Sequence, residues 1–118
     1  MKIILAIFLF LLVLFSFFPK VSDEEILQAR EAVKNGALIV DVRTPKEFQM
    51  EHVDGAINLP IEEIMQNRVN LPKNKELILY CRTGSRRSAS AQVLQRKGWT
   101  VYNVATQEDW EREIKLEK

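Results

Sequence analysis

One cysteine, Cys81, and one histidine, His52, are the only thiol and the only imidazole in this 118-residue chain. That excludes an internal disulfide, and it is too few soft ligands for a protein-built zinc site. No metal or organic cofactor is implied. Glycine and proline occur four times each, and there are no repeats or low-complexity stretches, so the chain is not linker-rich. Charge of one sign is also lacking. Residues 1–20 hold Lys2, Lys20 and no acid, which leaves fifteen basic against sixteen acidic side chains in residues 21–118, a net charge of −1. A nucleic-acid-binding domain would show a large basic excess.

One long hydrophobic run is present. Ile3 to Phe18, "IILAIFLFLLVLFSFF", has sixteen residues, no charge and only Ser16 polar. It has no polar face, so a buried core helix is a poor reading. It falls just short of the roughly 17–25 residues that span a bilayer, and no pair of small residues marks a cleavage site before Pro19. The run predicts a signal peptide or membrane anchor over 1–20, with an uncleaved hydrophobic helix preferred. Lys2 before it and Glu24-Glu25 after it predict that residues 21–118 are exported, to a periplasmic or other extracytoplasmic face.

The rest reads as alternating helices and strands. Ser22 and Glu25 have capping-box spacing and open a helix with Ile26, Ala29, Ala32 and Val33 inward, stopped by Asn35-Gly36. "ALIVDV" (37–42) and "ELILYC" (76–81) are continuous apolar runs, as buried parallel strands are. Thr44-Pro45 starts a short helix. A short strand over 56–59, a brief helix over 61–65, a helix over 88–97 stopped by Gly98, a strand over 101–104 and a helix over 107–116 complete the pattern. Such alternation predicts an α/β domain with a mostly parallel sheet. Ligands of such sheets bind beyond the carboxyl ends of the strands, where Cys81, Asp41 and Arg43 fall.

"YCRTGSRRSAS" (80–90) concentrates the chemistry. Cys81 ends a strand and precedes a helix, and Arg82, Arg86 and Arg87 lie within six positions of it. Gly84 permits a turn that aims backbone N–H groups inward. Loop amides, helix N-terminus and arginines together favour a thiolate and an anion beside it. Two chemistries use this arrangement. In sulfur transfer the thiolate takes the outer sulfur of an anionic donor and passes it on. In phosphatase or arsenate-reductase chemistry Cys81 attacks and Arg87, at C-x5-R spacing, clamps the oxygens. Spacing alone does not separate them.

The sequence resembles a single-domain rhodanese, a thiosulfate sulfurtransferase. The cues are Asp41-Val42-Arg43-x-Pro45-x-Glu47-Phe48, then His52-x-x-Gly55-Ala56-x-Asn58-Leu59-Pro60, then the cysteine loop and "VYNV". The resemblance covers nearly all of 21–118. It implies a rhodanese-like α/β fold, a five-stranded, mostly parallel sheet with helices on both faces. It implies Cys81 as persulfide carrier, substrate binding by Arg82, Thr83, Gly84, Ser85, Arg86 and Arg87, a thiol or cyanide acceptor, and structural support from Asp41, Arg43 and His52. Gly98 lies seventeen positions after Cys81, the spacing of sulfur-transferring members, so Arg86 takes the family's last loop position and Arg87 the first helical turn. Tyr80 stands where phosphatase relatives usually carry His. The non-enzymatic alternatives are a binding module, which normally goes with loss of the cysteine, and a persulfide carrier that keeps it and delivers sulfur to one partner. Two departures matter: Arg87 replaces the usual Ser after the loop, and "NVATQEDW" lacks the Gly-Gly pair that often precedes the last helix. Glu47 is expected to partner Arg43, and Trp99 and Trp110 to pack rather than bind ligand.

Overall fold

A computed structural model describes residues 21–82 and 85–115, and of residues 85–88 the backbone only. The expected N-terminal hydrophobic helix lies outside the described residues. Among those described, no helix is long and apolar enough to cross a membrane.

Among the described residues nine elements follow in order: α1 (Asp23–Lys34), β1 (Leu38–Asp41), α2 (Pro45–Met50), β2 (Ile57–Asn58), α3 (Ile61–Met65), β3 (Leu77–Cys81), α4 (Ser85–Arg96), β4 (Val101–Thr106) and α5 (Gln107–Glu111). The strands form one sheet in the order β2-β1-β3-β4, and every pairing is parallel. Local chemistry sets the boundaries. Ser22 caps α1 by accepting from the Glu25 amide, and Thr44 and Glu47 close a full capping box on α2 with Pro45 inside it. Helices α1 and α4 end alike. At α4, Gly98 (φ +104°) donates to the Gln95 carbonyl and Trp99 to the Leu94 carbonyl. At α1, Gly36 (φ +102°) and Ala37 make the equivalent bonds to Val33 and Ala32. Both are left-handed caps that a side chain would strain.

Strand β3 is buried at all five positions, which explains its unbroken apolar run. Alternation sends Leu77, Leu79 and Cys81 to the face covered by α3 and α4, against Ile64, Ala91, Leu94 and Trp99. Ile78 and Tyr80 go to the opposite face, against Ala29 and Ala32 of α1 and Val53. Trp99 also donates from Nε1 to the Pro72 carbonyl, and Trp110 lies under the Arg30 guanidinium.

The structure departs from the sequence expectation at four places. The described residues contain four strands rather than five: Ser22 caps α1 directly after Val21, so no described segment is left to pair beyond β4. The helix expected over 88–97 begins at Ser85, since arginine is a good helix former and the Arg86-Arg87 pair continues the helix rather than the loop. Strand β4 runs on to Thr106, two residues past the expected end. Helix α5 stops at Glu111 instead of 116.

Candidate active site

The sheet's carboxyl edge gathers the ends of β1, β3 and β4. Cys81 closes β3, is 3% exposed, and sits in register with Thr106 of β4. Between Leu79 and Cys81 the pairing slips: two steps along β3 match three along β4, from Asn103 to Thr106. The extra residue is accommodated by Ala105, which adopts φ +77° while 8% exposed. This is the segment in which the sequence lacks a glycine pair. A β-bulge of this kind bends the strand and re-aims its end, and Thr106 then caps α5, accepting from the Asp109 amide at 3.1 Å.

Only Arg82 and residues 83 and 84 separate Cys81 from α4. Arg86 and Arg87 therefore both lie in the helix's first turn by backbone, which replaces the expected split between loop and helix. The first amides of a helix have no partner within it. Thr83 and Gly84 lie outside the described residues, as do the side chains of Ser85, Arg86 and Arg87.

On the other face of the sheet a charged network is buried. Asp41 is fully buried and in register with Tyr80. Its Oδ2 accepts from the Tyr80 hydroxyl at 2.8 Å and from Arg43 Nη2 at 2.8 Å. Its Oδ1 accepts from the Arg43 amide at 2.9 Å and from Nε at 3.0 Å. Arg43 Nη2 also donates to the Glu51 carbonyl at 2.6 Å, and the guanidinium lies 5.6 Å from the Tyr80 ring centre. The Tyr80 oxygen in turn accepts from the Val53 amide at 3.1 Å. Desolvation, reinforced by the bond to Asp41, pushes the Tyr80 phenol well above its ordinary range, and the hydrogen bond to Asp41 raises Arg43 further. This network fixes the α2 end of the site. Asn58 supports it by donating to the Asp41 and Arg43 carbonyls, both at 3.0 Å. His52 is exposed; its Nδ1 lies 2.7 Å from the Phe48 carbonyl, and its ring stacks on Phe48 at 3.8 Å.

Glu47 does not hydrogen-bond Arg43. Its Oε1 accepts from the Thr44 amide and hydroxyl at 3.3 and 3.1 Å, and its Oε2 faces Arg82 at 3.9 Å. Arg43 is occupied by Asp41, which is closer along the chain and fully desolvated. Glu47, Arg82, Arg43, Met50 and Glu51 line a cleft of about 300 Å³. Tyr80 and Asn58 are the participants that the motif reading passed over. Tyr80 stood out only as an absent histidine, and Asn58 only as a letter in a motif. A polar residue inside an otherwise apolar β3 was the available signal. Among the described residues no group of three or more His, Cys, Asp or Glu could hold a metal ion.

The family model for the rhodanese-like domain matches residues 23–106. A sulfurtransferase of Allochromatium vinosum is 32% identical over 77 residues, 65% of this chain and 72% of that protein. The thiosulfate sulfurtransferase PspE of Escherichia coli is 35% identical over 63 residues, 52% of this chain and 61% of that one. A solved structure described as a rhodanese with anions from E. coli superposes with a TM-score of 0.55 at 30% identity, covering 68% of this chain and 95% of that chain.

Proposed function

We propose that this chain, which belongs to the rhodanese-like domain family, is a sulfurtransferase that carries sulfane sulfur on Cys81. The observation that carries the reading is the place of Cys81: last residue of the central strand β3, at the carboxyl edge of a parallel sheet, with three residues between it and α4. Sulfur-transferring relatives of similar sequence support it.

In this reading the Cys81 thiolate attacks the outer sulfur of a thiosulfate-like dianion. The Sγ–S bond forms as the donor's S–S bond breaks, and the bonding pair leaves on sulfite. The persulfide anion then gives its outer sulfur to a thiol or cyanide acceptor, which returns the thiolate; with cyanide the product is thiocyanate. Charge is conserved in both steps. Backbone N–H groups of residues 82–86 stabilise the persulfide, and Arg82, Arg86 and Arg87 draw in the anion. Burial of Cys81 keeps the persulfide from bulk water. The same reading places the domain outside the cytoplasm, held by residues 3–18.

Mass spectrometry of the protein after thiosulfate treatment tests it. One added sulfur is expected on Cys81, removed by cyanide with release of thiocyanate, and absent in Cys81→Ser. No added sulfur with any sulfane donor, together with hydrolysis of phosphate esters, would overturn it in favour of Cys81–Arg87 phosphatase chemistry. Export is tested by fractionating cells for the full-length chain; recovery in the cytosol contradicts it.

A further inference from the structure

Arg82 is bonded directly to the nucleophile's own residue, yet its guanidinium is turned into the α2 cleft. Its side chain is 79% exposed, and its partner there is Glu47, 3.9 Å away. The two oxygens of Glu47 have separate tasks. Oε1 is spent on the Thr44 amide and hydroxyl, which fixes the carboxylate against the start of α2. Oε2 is left for Arg82. The Thr44 amide bond above all, with smaller contributions from Arg43 and Arg82, holds the Glu47 carboxyl below its ordinary range, so it is an anion at neutral pH. Neighbouring Cα atoms are about 3.8 Å apart. Arg82 is the residue next to the nucleophile, and its largely exposed stem is free to change rotamer. A loose, exposed pair is easily exchanged for another anion.

We infer that Glu47 is a positioning residue that parks Arg82 beside the site and competes with the anionic donor and its anionic product for that guanidinium. Glu47 thereby sets how tightly the site holds anions and how readily the product leaves. The inference rests on the proposed role of Cys81. Its own consequence is a gain of anion affinity when a negative charge is removed from a residue that touches no reacting atom.

The test uses Glu47→Gln, which keeps an oxygen for Thr44 and removes only the charge. Inorganic sulfate serves as probe, with its dissociation constant read from protection of Cys81 against iodoacetamide, a measurement that needs no turnover. Glu47→Gln is expected to tighten sulfate about threefold, the scale set by an exposed ion pair that no longer competes. Arg82→Ala is expected to weaken sulfate and to shrink the gain from Glu47→Gln to well under half. With thiosulfate, KM should fall and inhibition by sulfite should strengthen by the same factor, without a rise in kcat. Unchanged or weaker sulfate binding in Glu47→Gln overturns the inference. So does an equal gain with and without Arg82, since that would be a plain field effect. Failure of wild type to form a persulfide would strike the sulfurtransferase reading alone, because sulfate protection is measured independently.

Discussion

The Tyr80 hydroxyl donates 2.8 Å to Asp41 Oδ2 from the adjacent strand, with both residues fully buried and in register. One phenol thereby serves a carboxylate on β1 and the amide of Val53 in the segment between α2 and β2. Phenylalanine fills the same space but leaves an amide donor unpaired and a buried carboxylate short of one bond. Such losses cost about 1–3 kcal/mol. Tyr80→Phe should lower the urea midpoint accordingly, with an unchanged m-value. A variant as stable as wild type would mean that water replaces the hydroxyl.

Arg43 is the counter-charge in the same network. It binds both oxygens of a fully buried Asp41 and reaches the Glu51 carbonyl. Removing it strands the carboxylate, which costs about 3–5 kcal/mol for a buried pair broken on one side. Arg43→Ala should therefore unfold far more readily than Arg43→Lys, which keeps the charge but cannot span both oxygens and the carbonyl. Equal loss in the two variants would show that the fork geometry, not the charge, is what matters. The measurement is chemical denaturation of both variants beside wild type.

Much of the arrangement could be read from the residues alone. Continuous apolar runs marked β1 and β3, and the caps at Ser22, Thr44, Gly36 and Gly98 marked helix ends, because these signals are local. The four strands recovered from the residues are the four described; the fifth came only from the family resemblance. The start of α4 was misplaced because serine can either cap a helix or enter it, and the arginine pair fits loop and helix equally. The Glu47–Arg82 contact was missed because it joins residues 35 apart, and motif spacing brought Glu47 to Arg43 instead. Which atoms close the cysteine loop depends on backbone turns that charge pattern does not determine.

Ala105 shows what the missing glycine pair leads to. It carries a left-handed φ of +77° at the β4 bulge and packs with Val21 and Ile26. A left-handed non-glycine residue costs about 1–2 kcal/mol. Glycine would relieve that, at about 0.5–1 kcal/mol of chain entropy and about 0.8 kcal/mol for one buried methyl. The terms nearly cancel, so Ala105→Gly should change stability by less than about 0.5 kcal/mol. Ala29→Gly, fully buried in the middle of α1, has no strain to relieve and should cost about 1.5 kcal/mol. Ala105→Val, β-branched at a positive φ, should be worse than either. Thermal melts of the three variants decide; a loss at Ala105→Gly equal to that at Ala29→Gly would show that the bulge stores no strain.

The acid limb of stability carries the signature of Glu47. Hydrogen bonds from Thr44, followed by Arg43 and Arg82, hold its carboxyl below the ordinary value of 4.5. A carboxylate whose folded value is depressed stabilises the fold above its unfolded value, and that contribution is lost as pH falls through the folded one. The gap between wild type and Glu47→Gln should therefore be constant from neutral pH down to about 4.5 and close progressively below it. Because the side chain is partly exposed and the Arg82 contact is loose, the gap at neutral pH should stay below about 1 kcal/mol. Raising salt should reduce only the part due to Arg43 and Arg82, since the Thr44 bonds are short-ranged. Denaturant titrations from pH 7 to pH 3 at two ionic strengths separate the two contributions. A gap that persists undiminished at pH 3 would mean that the neutral acid stabilises the fold as well as the carboxylate does, so that neither the Thr44 bonds nor the two arginines sense the charge.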